Sequence, residues 1–246
     1  MAIGWFEQIE SDVPFGDGWL SAGERACLDG LRIPKRRADW RLGRWTAKCA
    51  VSLYLKLPGD PKALAAVEVR PAASGAPQVF LHGKPAPVEL SLSHSGGTGF
   101  CVVAPPGAEV GCDLERVEPR SPAFLADYFT DEERQLVART PATKRDQMLT
   151  LLWSAKESAL KALHCGLRLD TRSVNAIPAG CSHTEGAEWR RVSVAHSGGR
   201  CFCGWWRQSR DFVYTIVGEA AVLGGRILND NLLLRRGHHG NPKQPV

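Results

Sequence analysis

The sequence predicts an α+β protein, and three observations carry that reading. Stretches with apolar residues at helical steps, such as Leu149, Leu152, Leu160 and Leu163, describe amphipathic helices. Short alternating stretches bounded by glycine and proline, such as Val67-Glu68-Val69-Arg70 and Val192-Ser193-Val194-Ala195, describe strands. A third observation is an echo, His94-Ser95-Gly96-Gly97 against His196-Ser197-Gly198-Gly199, each just before an apolar strand. The echo is either coincidence or the mark of two pseudo-symmetric halves.

Taken in order, residues 1 to 18 read as an opening strand or loop. Ser21 and Glu24 form a capping box ahead of a helix through Leu28 and Leu31, which Ile33-Pro34 interrupts. The basic run from Lys35 to Lys48 leads into a helix marked by Ala47, Val51, Tyr54 and Leu55. Gly59 to Pro61 is a turn. Gly75-Ala76-Pro77 and Gly83-Lys84-Pro85 are turns around a short strand, Val79-Phe80-Leu81. Ser91 to His94 and Phe100 to Ala104 are strands, and Pro105-Pro106-Gly107 is the turn that divides the halves. An acidic strand follows, Val110-Gly111-Cys112-Asp113-Leu114-Glu115. Thr130 and Glu133 cap the next helix, Pro141 ends it, and the helix bearing Trp153 to Lys161 stops near Cys165-Gly166. Strands at 200–206 and 212–217 close the fold. From Leu228 the composition is that of a disordered tail, and His238-His239 reads as part of it.

Composition narrows the classes. With 246 residues, 43% of them hydrophobic, the chain is long enough for one large or two small domains. A net charge of +5 fits an anionic ligand or partner, and it is too small a footprint for a nucleic-acid module. No apolar run approaches the roughly 18 residues a membrane span needs. Residues 1–7 lack a basic start and an apolar core, so no secretory signal is expected, and the expected location is cytoplasmic. Eight scattered cysteines without a Cys-x-x-Cys argue against zinc and for free thiols in a reducing compartment.

The chemistry gathers on two segments. Alternation puts Asp113 and Glu115 on one strand face, and helical spacing stacks Trp153, Glu157 and Lys161 on one helix face. Three carboxylates, Asp113, Glu115 and Glu157, are hard oxygen donors suited to Mg²⁺. Arg37, Arg41, Arg44 and Lys48 recur at three- and four-residue steps, a stripe suited to phosphate.

Gly111-Cys112-Asp113-Leu114-Glu115 and Trp153-Ser154-Ala155-Lys156-Glu157-Ser158-Ala159-Leu160-Lys161 closely resemble the two signature motifs of the 4′-phosphopantetheinyl transferase superfamily. Leu90-Ser91-Leu92-Ser93-His94-Ser95 resembles its Ser-His segment. The length resembles the monomeric, two-half, surfactin-synthetase-activating type. The resemblance implies two pseudo-symmetric subdomains, each a small antiparallel sheet packed with helices. It places the halves at 1–106 and 107–227, with a tail at 228–246.

The implied reaction is Mg²⁺-dependent transfer of 4′-phosphopantetheine from coenzyme A to a serine of an apo acyl or peptidyl carrier protein. Adenosine 3′,5′-bisphosphate is released. Glu157 is implied as the base and Lys161 as a pyrophosphate contact, with Asp113, Glu115 and Glu157 as metal ligands. Ser93 and His94 are implied at phosphate. Lys35, Arg37, Arg41 and Arg44 are expected near the nucleotide end, and Lys156 as a further coenzyme A contact. A lysine beside the nucleotide is expected from a Gly-Lys-Pro turn, which either Gly75-Ala76-Pro77 or Gly83-Lys84-Pro85 fills. The rival reading is a coenzyme A- or nucleotide-binding protein without transferase activity.

Overall fold

The computed structural model describes residues 3–165, 168–179 and 189–220. β1 (Gly4–Ile9) leads to α1 (Ala22–Gly30), whose capping box forms as the sequence announces. Glu24 N donates to Ser21 Oγ at 3.1 Å and Ser21 N donates to Glu24 at 2.9 Å. α2 (Pro34–Tyr54) begins at Pro34, where a missing N–H costs nothing. The basic run is therefore helix throughout. α3 (Pro61–Ala66), capped by Asp60, stands where the sequence predicts only a turn. β2 (Val67–Pro71), β3 (Pro77–Leu81) and β4 (Lys84–Pro85) form one antiparallel sheet. β5 (Glu89–Ser95) and β6 (Thr98–Ala104) join β1 in a second, ordered β1-β6-β5.

β7 (Val110–Arg116) follows the Pro105-Pro106-Gly107 turn. α4 (Pro122–Tyr128), capped by Ser121, is a helix that periodicity does not announce, and α5 (Asp131–Arg139) starts at the Thr130 box. After α6 (Arg145–Ala162) come β8 (Val174–Pro178), β9 (Arg190–His196), β10 (Cys201–Ser209) and β11 (Phe212–Gly218). These four complete a five-stranded antiparallel sheet with β7, in the order β7-β11-β10-β9-β8. The fold is thus the α+β class expected, with α2 laid on β1 and β6 and α6 laid on β7 and β11.

Each long helix is held by the same buried device. Glu24 accepts from Val69 N at 3.1 Å and pairs at 2.5 Å with Lys48 of α2, which also donates to the Trp19 and Leu64 carbonyls. Glu133 accepts from Ala176 N at 2.8 Å and pairs at 2.5 Å with Lys156 of α6, which also donates to the Val174 carbonyl. Both lysines are fully buried. A charge so placed is tolerable only because its hydrogen bonds are filled.

The halves share a core in which Trp5, Phe100 and Val102 meet Leu114, Tyr214 and Ile216. A polar clasp lies beside it. Arg207 and the Tyr214 hydroxyl both donate to Glu7, at 2.8 and 2.9 Å, and the guanidinium rests on the Trp5, Trp189 and Tyr214 rings. Among the described cysteines all are free; Cys101 and Cys112 are buried, whereas Cys27 and Cys201 are exposed. No described helix is long and apolar enough to cross a membrane. Gly166, Cys181 and the 228–246 tail, with His238-His239, lie outside the described residues.

Candidate active site

β7 and α6 meet at Gly111. A Cβ there would overlap the Ser158 carbonyl oxygen and come within 2.7 Å of Ala162 N, so only glycine lets the helix lie this close. The α6 face toward the sheet is accordingly small, with Ser154, Ala155, Ser158, Ala159 and Ala162 all buried. Ser154 and Ser158 also bond to the Thr215 hydroxyl of β11 at 2.8 and 2.7 Å.

This close contact brings the two motifs together. Asp113, nearly fully buried, accepts on Oδ1 from Lys161 Nζ at 2.8 Å and from Ser93 Oγ of β5 at 2.8 Å. Its Oδ2 is buried without a hydrogen-bond partner. Lys161 also donates to the Cys112 carbonyl at 3.0 Å. Burial works against its charge, but Asp113, Cys112 and Glu157 together outweigh it and its pKa is raised.

Glu115 accepts from Trp153 Nε1 at 3.3 Å and faces Arg120 at 3.4 Å. Burial, with Asp113 nearby, pushes its pKa up to about 7, against the pull of Arg120 and the Trp153 N–H. Burial and then Asp113 push Glu157 up to about 6. Asp113 thus stands near enough to both glutamates to raise them. Among the described residues, however, no three acidic, histidine or cysteine side chains close around one point as a metal set. Lys161 and Ser93 hold Asp113, while Trp153 and Arg120 hold Glu115. The expected ligands are neighbours rather than an assembled site. Their chemistry nonetheless fits a hard cation: two carboxyls held back from ionising stand near a buried carboxylate oxygen that has no hydrogen-bond partner.

His94 lies near the end of β5, beside this cluster. It is exposed at the strand end yet hemmed in, and that partial desolvation lowers its pKa. Asp39 pulls the other way; Lys161 and Lys35 push it further down. Lys35 itself is exposed and paired with Asp39 at 2.7 Å.

Other expected contacts are spoken for. Arg37 donates to the carbonyls of Leu28 and Leu31, closing the C-terminal end of α1. Arg41 donates to the Pro14 and Phe15 carbonyls and pairs with Asp17. Both secure the fold, so neither is the phosphate grip that spacing suggests. Lys156 is corrected for the same reason: it points at Glu133, not toward Asp113. Arg44 lies over the Trp40 ring, with its buried Nε lacking a hydrogen bond, 3.9 Å from Glu24. Lys84 is exposed at the start of β4, just after the turn. Gly75 and Gly83 both take left-handed φ, 86° and 77°. The Gly75 turn is the one tied to the far half, through Arg168 donating to Ser74 O.

Sequence reasoning missed Arg120 and Thr215, and it put Trp153 on the functional helix face without giving it a role. A signal for Trp153 exists: Trp45-Thr46-Ala47-Lys48 repeats Trp153-Ser154-Ala155-Lys156. Trp45 Nε1 donates to Gln8 of β1 at 3.1 Å as Trp153 does to Glu115 of β7.

Comparison with known proteins adds three findings. Residues 109–216 match a family described as the 4′-phosphopantetheinyl transferase superfamily. The chain is 32% identical over 87 residues to the 4′-phosphopantetheinyl transferase psf-1 of Bacillus pumilus, a stretch covering 35% of this chain and 36% of that protein. The match thus spans about a third of that relative's length. Among solved structures, a holo-(acyl-carrier-protein) synthase from Bacillus anthracis in complex with CoA (3′,5′-ADP) is 24% identical. It superimposes with a TM-score of 0.36 over 42% of this chain and 92% of that one. The Thermotoga maritima holo-[acyl-carrier-protein] synthase is 21% identical, with a TM-score of 0.35 over 52% and 74%. Scores of that size bear no weight on the whole fold.

Proposed function

We propose that this chain, whose residues 109–216 match the 4′-phosphopantetheinyl transferase superfamily, moves 4′-phosphopantetheine from coenzyme A to a serine of an apo carrier protein. The observation that carries this reading is the meeting of Asp113 on β7 with Lys161 on α6, with Glu115 and Glu157 both close enough to Asp113 for it to raise their pKa values. In the reaction the serine oxygen forms a bond to phosphorus as the P–O bond to the adenosine 3′,5′-bisphosphate leaving group breaks.

Asp113, Glu115 and Glu157 would hold Mg²⁺, which when bound neutralises charge on the pyrophosphate. Glu157, pushed up to about 6, is basic enough to take the serine proton and is largely ionised near neutral pH. Lys161, held as ammonium, faces the pyrophosphate and steadies the departing bisphosphate. His94, Lys35 and Arg44 remain for the 3′-phosphate, with Ser93 orienting Asp113 rather than binding phosphate. Lys84 is the reserve contact at the nucleotide. We read the protein as a cytoplasmic monomer serving polyketide or nonribosomal-peptide carriers, by analogy with the two-half type.

The test is incubation with coenzyme A, Mg²⁺ and a panel of apo carriers, read by intact mass. One phosphopantetheine should be gained, and EDTA should stop the gain. Asp113→Ala and Glu157→Ala should each lower turnover about 10²–10⁴-fold with the fold kept. A folded protein that modifies no carrier, yet binds coenzyme A, would leave the binding-only reading in its place.

A further inference from the structure

We propose that the Thr215 hydroxyl is a positioning group for the transfer: it sets where α6 sits along the β7–β11 ladder, and so where Glu157 and Lys161 stand against Asp113. The inference rests on the transferase reading above. Thr215 lies directly across the ladder from Asp113 and is fully buried. Its Oγ1 donates to the Ser154 carbonyl at 2.9 Å and stands 2.8 Å from Ser154 Oγ and 2.7 Å from Ser158 Oγ.

A hydroxyl has one proton to give and two lone pairs to share. With its proton on the Ser154 carbonyl, Thr215 receives both serines, and its capacity is full. Ser154 and Ser158 are also fully buried, so water cannot replace a lost bond. The two serines are one turn apart on α6, and Glu157 and Lys161 are one turn apart three residues further along. A slide of α6 that breaks this hub moves both functional side chains by the same amount. Gly111 sets how near the helix lies; Thr215 sets where along the strand it stops.

The N-terminal half shows that this hub is not part of the common scaffold. There Thr46 stands for Ser154, Ala50 for Ser158, and Cys101, across from Phe6, for Thr215. Thr46 bonds to the Leu42 carbonyl of its own helix at 2.8 Å. The buried Glu–Lys pair occurs in both halves, whereas the hydroxyl hub occurs in the half that carries the acids.

The test compares wild type, Thr215→Val, Thr215→Ser and Ser158→Ala by steady-state kinetics on one carrier, alongside thermal unfolding. Valine keeps the shape and removes the hydroxyl. It should lower kcat about tenfold, with KM for coenzyme A and carrier within about twofold. Thr215→Ser restores the hydroxyl and gives up a methyl, so kcat should stay within about twofold of wild type even where Tm falls. Ser158→Ala, the residue the other half uses, should cost about threefold in kcat. Equal kcat losses for valine and serine, or losses that simply follow Tm, overturn the proposal. Should Thr215→Val not fold, Ser158→Ala decides alone: wild-type kcat there overturns it, and a loss without a Tm shift supports it. A wild type inert on every carrier sinks the transferase reading instead, and this inference with it.

Discussion

In the N-terminal half Glu24 closes a box with Ser21, bonds to β2 and pairs with Lys48; in the C-terminal half Glu133 closes a box with Thr130, bonds to β8 and pairs with Lys156. Trp45 reaches Gln8 as Trp153 reaches Glu115. On this shared scaffold, Phe6 occupies the place of Asp113, Gln8 that of Glu115, Cys49 that of Glu157 and Leu53 that of Lys161. The difference teaches that the helix-on-sheet arrangement is held by the capping glutamate and the buried lysine. The charges at the β7–α6 contact are additions, which the scaffold carries in one half and does without in the other.

The largest effects should come from what the halves share. Lys48→Met and Lys156→Met each strand a buried carboxylate, and each should cost about 3–5 kcal/mol in urea unfolding. Adding Glu133→Gln to Lys156→Met should recover much of the loss. A folded Lys156→Met with a raised KM for coenzyme A would return that lysine to the ligand site.

The next comparison is between glycines. Gly111→Ala drives a Cβ into helix backbone and should cost about 3 kcal/mol or more. Gly99→Ala, on β6 beneath α2, meets the Thr46 side chain, which can turn away, and should cost about 1 kcal/mol. Equal costs would mean α2 and α6 sit equally close to their sheets.

Smaller still is a pH effect confined to the acidic half. A carboxyl whose folded pKa lies above its ordinary value stabilises the fold fully below that ordinary value. The gain is lost as pH rises through the folded pKa. With Glu115 raised from 4.5 to about 7 and Glu157 to about 6, metal-free protein should lose stability steadily between pH 4.5 and 7. Glu115→Gln, which copies Gln8, should flatten that slope, and Mg²⁺ at pH 7 should restore stability in the wild type. A slope unchanged in Glu115→Gln would show that this group does not sense its neighbours.

The smallest contrast is between the indoles. Trp45→Phe and Trp153→Phe should each cost about 1 kcal/mol for one hydrogen bond. Only Trp153→Phe should also lower kcat, because it alone releases Glu115.

Much of this arrangement is legible in the sequence. β7, α6 and the capping boxes follow from alternation, helical spacing and Ser/Thr-x-x-Glu. α3 and α4 escape because a six- or seven-residue helix has too few turns to show a period, although Asp60-Pro61 and Ser121-Pro122 are starting signals. The stripe at Arg37 and Arg41 misleads for a physical reason. A three- and four-residue step describes a helix face, and that face meets the open carbonyls at the end of α1 and in the 14–17 loop rather than solvent. Lys156 misleads by adjacency to Glu157: one residue along a helix turns a side chain about 100° away. Thr215 carries no local pattern, since its role arises from long-range pairing, and Arg120 bonds back to Glu115 from an irregular segment that has no period to read.

Glu7 is translated two hundred residues before Arg207, its partner in the clasp beside the shared core. At about 5–20 residues per second, the ribosome needs roughly 10–40 s to cover that interval. Throughout it the first strand has no lasting home for its carboxylate, and Trp5 lacks the Tyr214 and Ile216 surface it finally lies against. β1 is thus the first strand made, paired with β6 midway through synthesis yet without its clasp until β10 and β11 appear. A nascent chain stalled before β10 would present an unclaimed apolar edge to chaperones, and a C-terminal truncation would first be felt at the opposite end of the polypeptide.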